Sequence, residues 1–401
     1  MIKVAFIGTK NYPIPNLRGG AIETLVTAII DENERKKQLD ITVFTIDCDG
    51  IDEYITKYKN TRFEKIYAPN MLIKTEIMIW RLIRKISNYR IPYKAAHMTM
   101  VNRKLRNEHY DVIVYENEFI DMMQSRKFKN TRNVMHIHAD YITPDMQGIK
   151  WAFRYCDCIV GVSDFITKKM EKIPYLAGKG ITLKNAIDLS AFSVSFSQTI
   201  IHELRNTLGF SDNDTICLFC GRLSAEKGCL ELIKAIRQIP NVKLLIIGGE
   251  NFSSNKITKY VEQLHNEAEA IKERVVFTGH INHSELNKYL AIADIGVVPS
   301  ICNEAAGLTV LEFRASRLPT IVTKAGGIPE YCDTNTSLFV ELNDDYVINL
   351  SKAINIMIND KELFDQMKTN SQINLEAYGY EQYYNNFVQI MKKMYFQNKQ
   401  M

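Results

Sequence analysis

Two glutamates, Glu304 and Glu312, bracket the segment Glu304-Ala-Ala-Gly-Leu-Thr-Val-Leu-Glu312. An apolar run over residues 292–298 leads in and stops at Pro299-Ser300. Gly307 and Leu308 then open what reads as a helix. Eight positions are a little over two helical turns, so both carboxylates could face one ligand. The helix start adds free backbone N–H groups and a positive dipole end, which suit an anion. Carboxylates accept from hydroxyls, and N–H groups give to phosphate. Side by side they suit a nucleotide-sugar. Two solvated glutamates flanking a core helix would carry the same letters.

Cations stand at matching places. After a strand-like run comes Gly221-Arg-Leu-Ser-Ala-Glu-Lys-Gly228. Arg222 offers a planar fork to phosphate oxygens and Lys227 a point charge. An ordinary loop with a surface Arg and Lys is the plain alternative. Nearer the start, Gly19-Gly20 immediately precede a helical pattern, so backbone there can approach a phosphate with no side chain in the way. The glycine spacing is not that of a dinucleotide fingerprint, which speaks against a dehydrogenase.

Other chemistries fall away on spacing. Asp47-Cys48-Asp49 is an Asp-x-Asp, yet it is an isolated carboxylate pair early in the chain, so no metal is expected there. Cys217-x-x-Cys220 has zinc-like spacing, but alternation along a strand sends the two thiols to opposite faces, and no second ligand pair follows. There is no Gly-x-Ser-x-Gly, no phosphate-loop Lys-Ser/Thr, and no aromatic-basic ladder for nucleic acid.

The elements that must hold these residues alternate strand and helix, which predicts parallel sheets covered on both faces. Strands are expected at 4–8, 41–47, 111–115, 133–138 and 158–162, with a helix at 21–30. A polar stretch, 193–199, interrupts the pattern. A second series follows: strands at 215–220, 243–247, 275–277, 292–298 and 320–322, with a helix at 228–237. The reading is therefore α/β, with two doubly wound domains. In such sheets ligands sit beyond the carboxyl ends of the strands, where Gly19, Gly20, Arg222, Lys227, Glu304 and Glu312 all fall.

The 401 residues suffice for two cores, and 46% hydrophobic with 24% charged residues is a soluble globular composition. Met1-Ile-Lys-Val-Ala-Phe-Ile-Gly8 reads as a strand and not as a secretory leader. Eight cysteines, mostly in apolar runs, fit reduced buried thiols of a cytoplasmic protein. Residues 1–195 carry 30 Lys+Arg against 22 Asp+Glu, and the remainder 20 against 24. Part of that excess is Lys74, Arg81, Arg84, Lys85, Arg90, Lys94, Arg103, Lys104 and Arg106, interleaved with Ile77, Met78, Trp80, Leu82, Ile83, Tyr93, Met98 and Met100. Such a surface fits contact with anionic lipid at the inner face of the cell membrane. A pair of helices with solvated basic faces fits equally well.

Seven motifs in order resemble a family 4 retaining glycosyltransferase of the GT-B fold, over nearly the whole chain. They are Arg18-Gly-Gly-Ala-Ile-Glu23, Cys158-Ile-Val-Gly-Val-Ser-Asp164, Lys184-Asn-Ala-Ile-Asp-Leu-Ser-Ala-Phe192, Gly221-Arg-Leu…Lys227-Gly228, Val276-Phe-Thr-Gly279, the Glu304/Glu312 pair and Gly326-Gly-Ile-Pro-Glu330. The resemblance implies two Rossmann-like domains facing across a cleft. Residues 1–195 would bind the acceptor and 200–376 the nucleotide-sugar, with a helix in 377–401 crossing back to the first domain. Arg222 and Lys227 would bind the donor diphosphate, Glu304 the sugar hydroxyls and Glu312 the ribose. Gly307 and Leu308 would add their backbone, and Gly19 and Gly20 would approach the diphosphate from the first domain. A histidine would face the sugar: His138, in His136-Ile-His-Ala-Asp140, is the better match and His136 the reserve. The implied reaction moves a sugar, with retention and without a metal or other cofactor, from a UDP-sugar to a lipid-linked or cell-surface glycan. The resemblance is to polysaccharide, teichoic-acid and spore-surface types. Two departures stand out: Asn185-Ala186 where Asn-Gly is common, and Ala305-Ala306 where a bulkier pair is. Rival readings are a catalytically silent coat or binding protein, an epimerase and a sugar phosphorylase on the same fold.

Overall fold

The computed structural model describes residues 1–67, 75, 78, 79, 96–146, 148–249 and 258–399. The chain divides into two compact units, 1–185 with 380–401, and 186–379.

The first unit is built on a seven-stranded sheet of β1 (Ile2–Ile7), β2 (Leu39–Ile46), β3 (Thr61–Ile66), β4 (Val112–Glu116), β5 (Arg132–Ile137), β6 (Cys158–Gly161) and β7 (Gly180–Thr182). Their order is β3-β2-β1-β4-β5-β6-β7, and every pairing is parallel. The central strands β1 and β4 are near-continuous buried runs because helices cover both faces. The order reverses between β1 and β4, which makes the carboxyl ends of those two strands the crevice of this unit. The helix Ala21–Lys36 follows β1, and Gly19 and Gly20 enter it at φ +88° and +113°, a region an L side chain rarely adopts. The helix Tyr380–Lys399 packs in this unit: Phe387 stacks on Phe6 at 5.3 Å, and Tyr384 donates to Asn33 Oδ1 at 2.7 Å.

The second unit repeats the plan with β8 (Thr215–Cys220), β9 (Val242–Ile247), β10 (Val275–Gly279), β11 (Ile295–Val298), β12 (Thr320–Thr323) and β13 (Ser337–Val340). The order is β10-β9-β8-β11-β12-β13, again parallel. Alternation feeds two cores. Cys217, Phe219, Leu244 and Ile246 go to one, Ile216, Leu218, Leu245 and Ile247 to the other. The order reverses between β8 and β11, so the loops after these strands meet.

Several expected boundaries shift. The division falls at 185/186 and not at 195–200. The segment after it already belongs to the second unit: Ile187 N–H bonds Tyr378 O at 2.9 Å, and Phe192 is buried in the second unit's core. The polar stretch 193–199 is the lead into the helix Gln198–Thr207, capped by Ser197. Ile292 ends the helix His283–Ile292, so β11 starts later than its apolar run suggests. Strands β3, β7 and β13, not expected from the sequence, complete the sheets at or near their edges.

Candidate functional site

Loop 221–228, after β8, is shaped by two glycines. A Cβ on Gly228, at φ +71°, would lie 1.8 Å from Pro299 O, and one on Gly248 would lie 1.8 Å from Gly221 O. Both contacts are with backbone, so no larger residue fits without moving it. Ile301 N–H donates to Glu226 O at 3.0 Å and ties the loop after β8 to the loop after β11. The result places Lys227 Nζ 2.8 Å from Glu304 Oε2. Ser300, buried, donates its hydroxyl to the other oxygen, Glu304 Oε1. One lysine and one glutamate from separate motifs therefore share a half-buried spot at the switch point of the sheet.

Glu304 is also held from behind. A Cβ on Gly326, at φ +59°, would lie 2.3 Å from Glu304 O, and Gly327 N–H bonds that same oxygen at 2.7 Å. The Gly326-Gly-Ile-Pro-Glu330 motif is thus a backrest for Glu304. Arg222 is half-exposed and reaches Glu226 Oε1 at 3.4 Å. Glu226 accepts from Ser224 Oγ at 2.7 Å, a bond that, with the nearby cations, keeps its carboxyl below the ordinary range.

The helix Leu308–Ala315 starts at Gly307 with no side-chain cap, leaving its first N–H groups open to an anion. Residues 304–307 are not helical. The two glutamates are therefore not related by helical spacing: Glu304 stands on the loop before the helix and Glu312 within it. Glu312 pairs with His283, Oε1 to Nε2 3.0 Å, and this hydrogen bond raises the pKa of His283. His283 also sets its ring edge-on to Phe192 at 5.3 Å. Nothing in the sequence singled out His283, which sits at the exposed start of a helix.

Gly19, Gly20 and His138 lie in the first unit. Gly19 N–H is fixed by Asn16 Oδ1 at 2.7 Å, and Gly20 lies against buried Glu23, whose carboxylate accepts from Thr9. His138 follows β5 by one residue and does not end it. Its Nε2 lies 2.9 Å from Glu116 Oε2, and His136 Nδ1 lies 3.1 Å from the same oxygen. Glu116 had no sequence signal, since it closes an apolar strand. Burial would raise its carboxyl, but the two imidazoles outweigh burial and hold it down to about 2.

Among the described residues, Glu116, His136 and His138 are the group whose ligand atoms could hold a metal ion. Asp47 and Asp49 are exposed, and Asp47 pairs with Lys65 at 3.5 Å. Cys217 and Cys220 are free thiols on opposite faces of β8. Most of the basic stretch, including Lys74, Trp80, Arg81, Arg84, Lys85, Arg90 and Lys94, lies outside the described residues. Among the described residues no helix is long and apolar enough to cross a membrane.

Comparison with known proteins agrees with this architecture. Residues 201–373 match the family described as Glycosyl transferases group 1. The chain is 25% identical to the putative glycosyltransferase YtcC of Bacillus subtilis (strain 168), over 94% of this chain and 88% of that protein. It is 23% identical to Spore coat protein SA of the same organism, over 98% and 100%. In structure it resembles Anabaena Alr3699/HepE, solved with UDP, at a TM-score of 0.74 and 17% identity, over 98% and 100% of the two chains. The fold is GT-B.

Proposed function

We propose that this chain, a glycosyltransferase of group 1, moves a hexose from a UDP-sugar to a hydroxyl of a lipid-linked or cell-surface glycan, with retention and without a metal. The observation that carries the reading is the Lys227–Glu304 pair, 2.8 Å apart, beside the uncapped helix start at Gly307. A cation, free N–H groups and a carboxylate in one spot fit a diphosphate on one side and hydroxyls on the other.

In this reading Arg222 and Lys227 take the phosphates, and Gly307 and Leu308 add backbone N–H groups. The leaving diphosphate gains charge as the glycosidic bond to the donor breaks. Fixed cations and dipoles stabilise that charge without reorganising. Glu304 takes hydroxyls of the sugar and Glu312 those of the ribose. The resemblance assigns Gly19 and Gly20 of the first unit to the diphosphate and His138 to the sugar. The leaving phosphate takes the proton of the attacking hydroxyl, so no side-chain base is needed. Alr3699/HepE has been solved with UDP and with UDP-glucose, which supports uridine in the donor. Contact of the basic first half with an anionic membrane surface would bring a lipid-linked acceptor within reach.

A thermal-shift screen with UDP-, GDP-, ADP- and dTDP-hexoses tests the donor. At 100 times its Kd a ligand adds about 2.7 kcal/mol of stability. UDP-hexoses should raise the midpoint most. Failure of all four classes to move it would end the nucleotide-sugar reading.

A further inference from the structure

The two carboxylates at the switch point of the second unit are held in different ways. Glu304 has both oxygens engaged, Oε2 by Lys227 and Oε1 by Ser300. Glu312 has one. Its Oε1 takes a hydrogen bond from His283 Nε2 at 3.0 Å, and among the described residues nothing bonds Oε2. The Glu312 side chain is 12% exposed and that of His283 65%, so the imidazole comes to the carboxylate from the solvent side.

Several elements of this unit aim the imidazole. β10 ends at Gly279, φ +71°, whose carbonyl accepts from Gly248 N–H at 2.9 Å, and the helix His283–Ile292 opens just beyond. Asn287, one turn along that helix, donates to Ala191 O at 2.9 Å. The neighbouring residue, buried Phe192, meets the ring of His283 edge-on at 5.3 Å and 77°. Packing therefore holds the ring as well as the hydrogen bond. Nε2 donates both from the charged ring and from its neutral Nε2–H form, so the bond does not hang on one protonation state.

A charged carboxylate only accepts. Two vicinal hydroxyls engage both of its oxygens only when both oxygens face the diol. With Oε1 turned to His283, Oε2 alone is left to face a ligand.

We propose that His283 is a positioning residue that holds Glu312 by Oε1 and presents Oε2 alone, so that the site reads one of the two ribose hydroxyls of the donor and tolerates loss of the other. This rests on the reading of Glu312 as the ribose acceptor of a nucleotide-sugar transferase. The donor class then includes a deoxyribonucleotide sugar that lacks the unread hydroxyl. The base does not enter.

The test is calorimetric titration of the full chain with UDP, 2′-deoxy-UDP and 3′-deoxy-UDP. In the wild type one deoxy form should bind roughly 10- to 150-fold more weakly than UDP, the worth of a hydrogen bond to a charged acceptor. The other should bind nearly as tightly as UDP. His283→Ala frees Oε1 for the second hydroxyl and loosens Oε2 for the first. Both effects shrink the ratio between the two deoxy forms, by about two- to fivefold, the worth of an exposed pair. His283→Gln places an amide N–H where Nε2 stands and should keep the wild-type ratio, which a merely structural role would not require. Should His283→Ala not fold, His283→Leu keeps the contact with Phe192, offers no hydrogen to Glu312, and should lower the ratio likewise. A wild type that loses both deoxy forms alike, or a wild-type ratio in the alanine or leucine variant, would overturn the proposal and leave the transferase reading intact. If UDP does not bind, whichever of GDP and ADP binds takes its place with its own deoxy forms. Binding of none of the three would end the nucleotide-sugar reading, and this proposal with it.

Discussion

Replacing Glu304 by alanine should strengthen the binding of bare nucleoside diphosphate while lowering turnover. In the free protein, Lys227 Nζ and Glu304 Oε2 are 2.8 Å apart, and the side chains are 23% and 16% exposed. The gross attraction at that distance is on the order of 6 kcal/mol at an effective dielectric near 20. Desolvation of both groups and the loss of side-chain freedom cancel most of it, and exposed pairs retain a net of about 0.2–1 kcal/mol. A diphosphate must compete with Glu304 for the ammonium. Without the carboxylate that competition vanishes, so the bare diphosphate should bind up to about fivefold tighter. The complete donor gains this too but loses its sugar contacts, each worth roughly 1.5–3 kcal/mol to a charged acceptor. Turnover should therefore fall. Glu312→Ala should do the opposite to the bare nucleotide, weakening it roughly 10- to 150-fold through the lost ribose contacts. Calorimetric titration of wild type and both variants with UDP separates them. Equal weakening in both variants, or unchanged affinity in both, would refute the division of labour between the two carboxylates.

Three further outcomes follow. Arg222→Ala and Lys227→Ala should each cut turnover by about 10²–10³, the usual worth of a group on developing charge; Lys227→Arg should recover only part, and a wild-type rate in either alanine variant removes that residue from the site. Chelator should leave the rate unchanged, since cations and a helix start take the place of a metal; activity lost in chelator and restored by manganese would overturn that reading and point first to Glu116, His136 and His138, the described group able to hold an ion. His283 has a pKa raised by Glu312, so its pairing stabilises the fold fully below about pH 6.5 and ceases to do so as pH rises through the raised value. Thermal melts should thus show His283→Ala further below wild type at pH 5.5 than at pH 9, and a constant gap would contradict the pairing.

The alternation of apolar runs with helical patterns was enough to read two parallel doubly wound sheets, because each buried strand prints its own composition. The switch-point loops were legible for a similar reason: Gly228 and Gly326 mark close backbone approaches that few other residues allow. What the sequence hid was pairing between elements. Glu116 closes an apolar strand and looks like its polar end. Only the β4–β5 register, which sets Glu116 against His136, reveals its partners. His283 is one polar residue among several at a helix start, and its tie to Glu312 spans 29 positions. The division near 185 was masked because the conspicuous polar stretch, 193–199, is a helix lead-in, while the true boundary runs through buried Asn185 and Ala186.

The two units also differ in how they hold charge, and the difference bears on their tasks. In the second unit the cations and carboxylates are half-exposed and joined in labile pairs, Lys227 with Glu304 and Arg222 with Glu226. Such pairs give up little on parting, so a charged ligand can displace one partner at small cost. In the first unit Glu116 is sealed with two imidazoles and has no exposed counter-ion to surrender. Breaking that group would strand a buried charge, which costs several kcal/mol, so it is built to persist through each turnover. A site that exchanges its partners suits a donor that arrives and leaves as a polyanion.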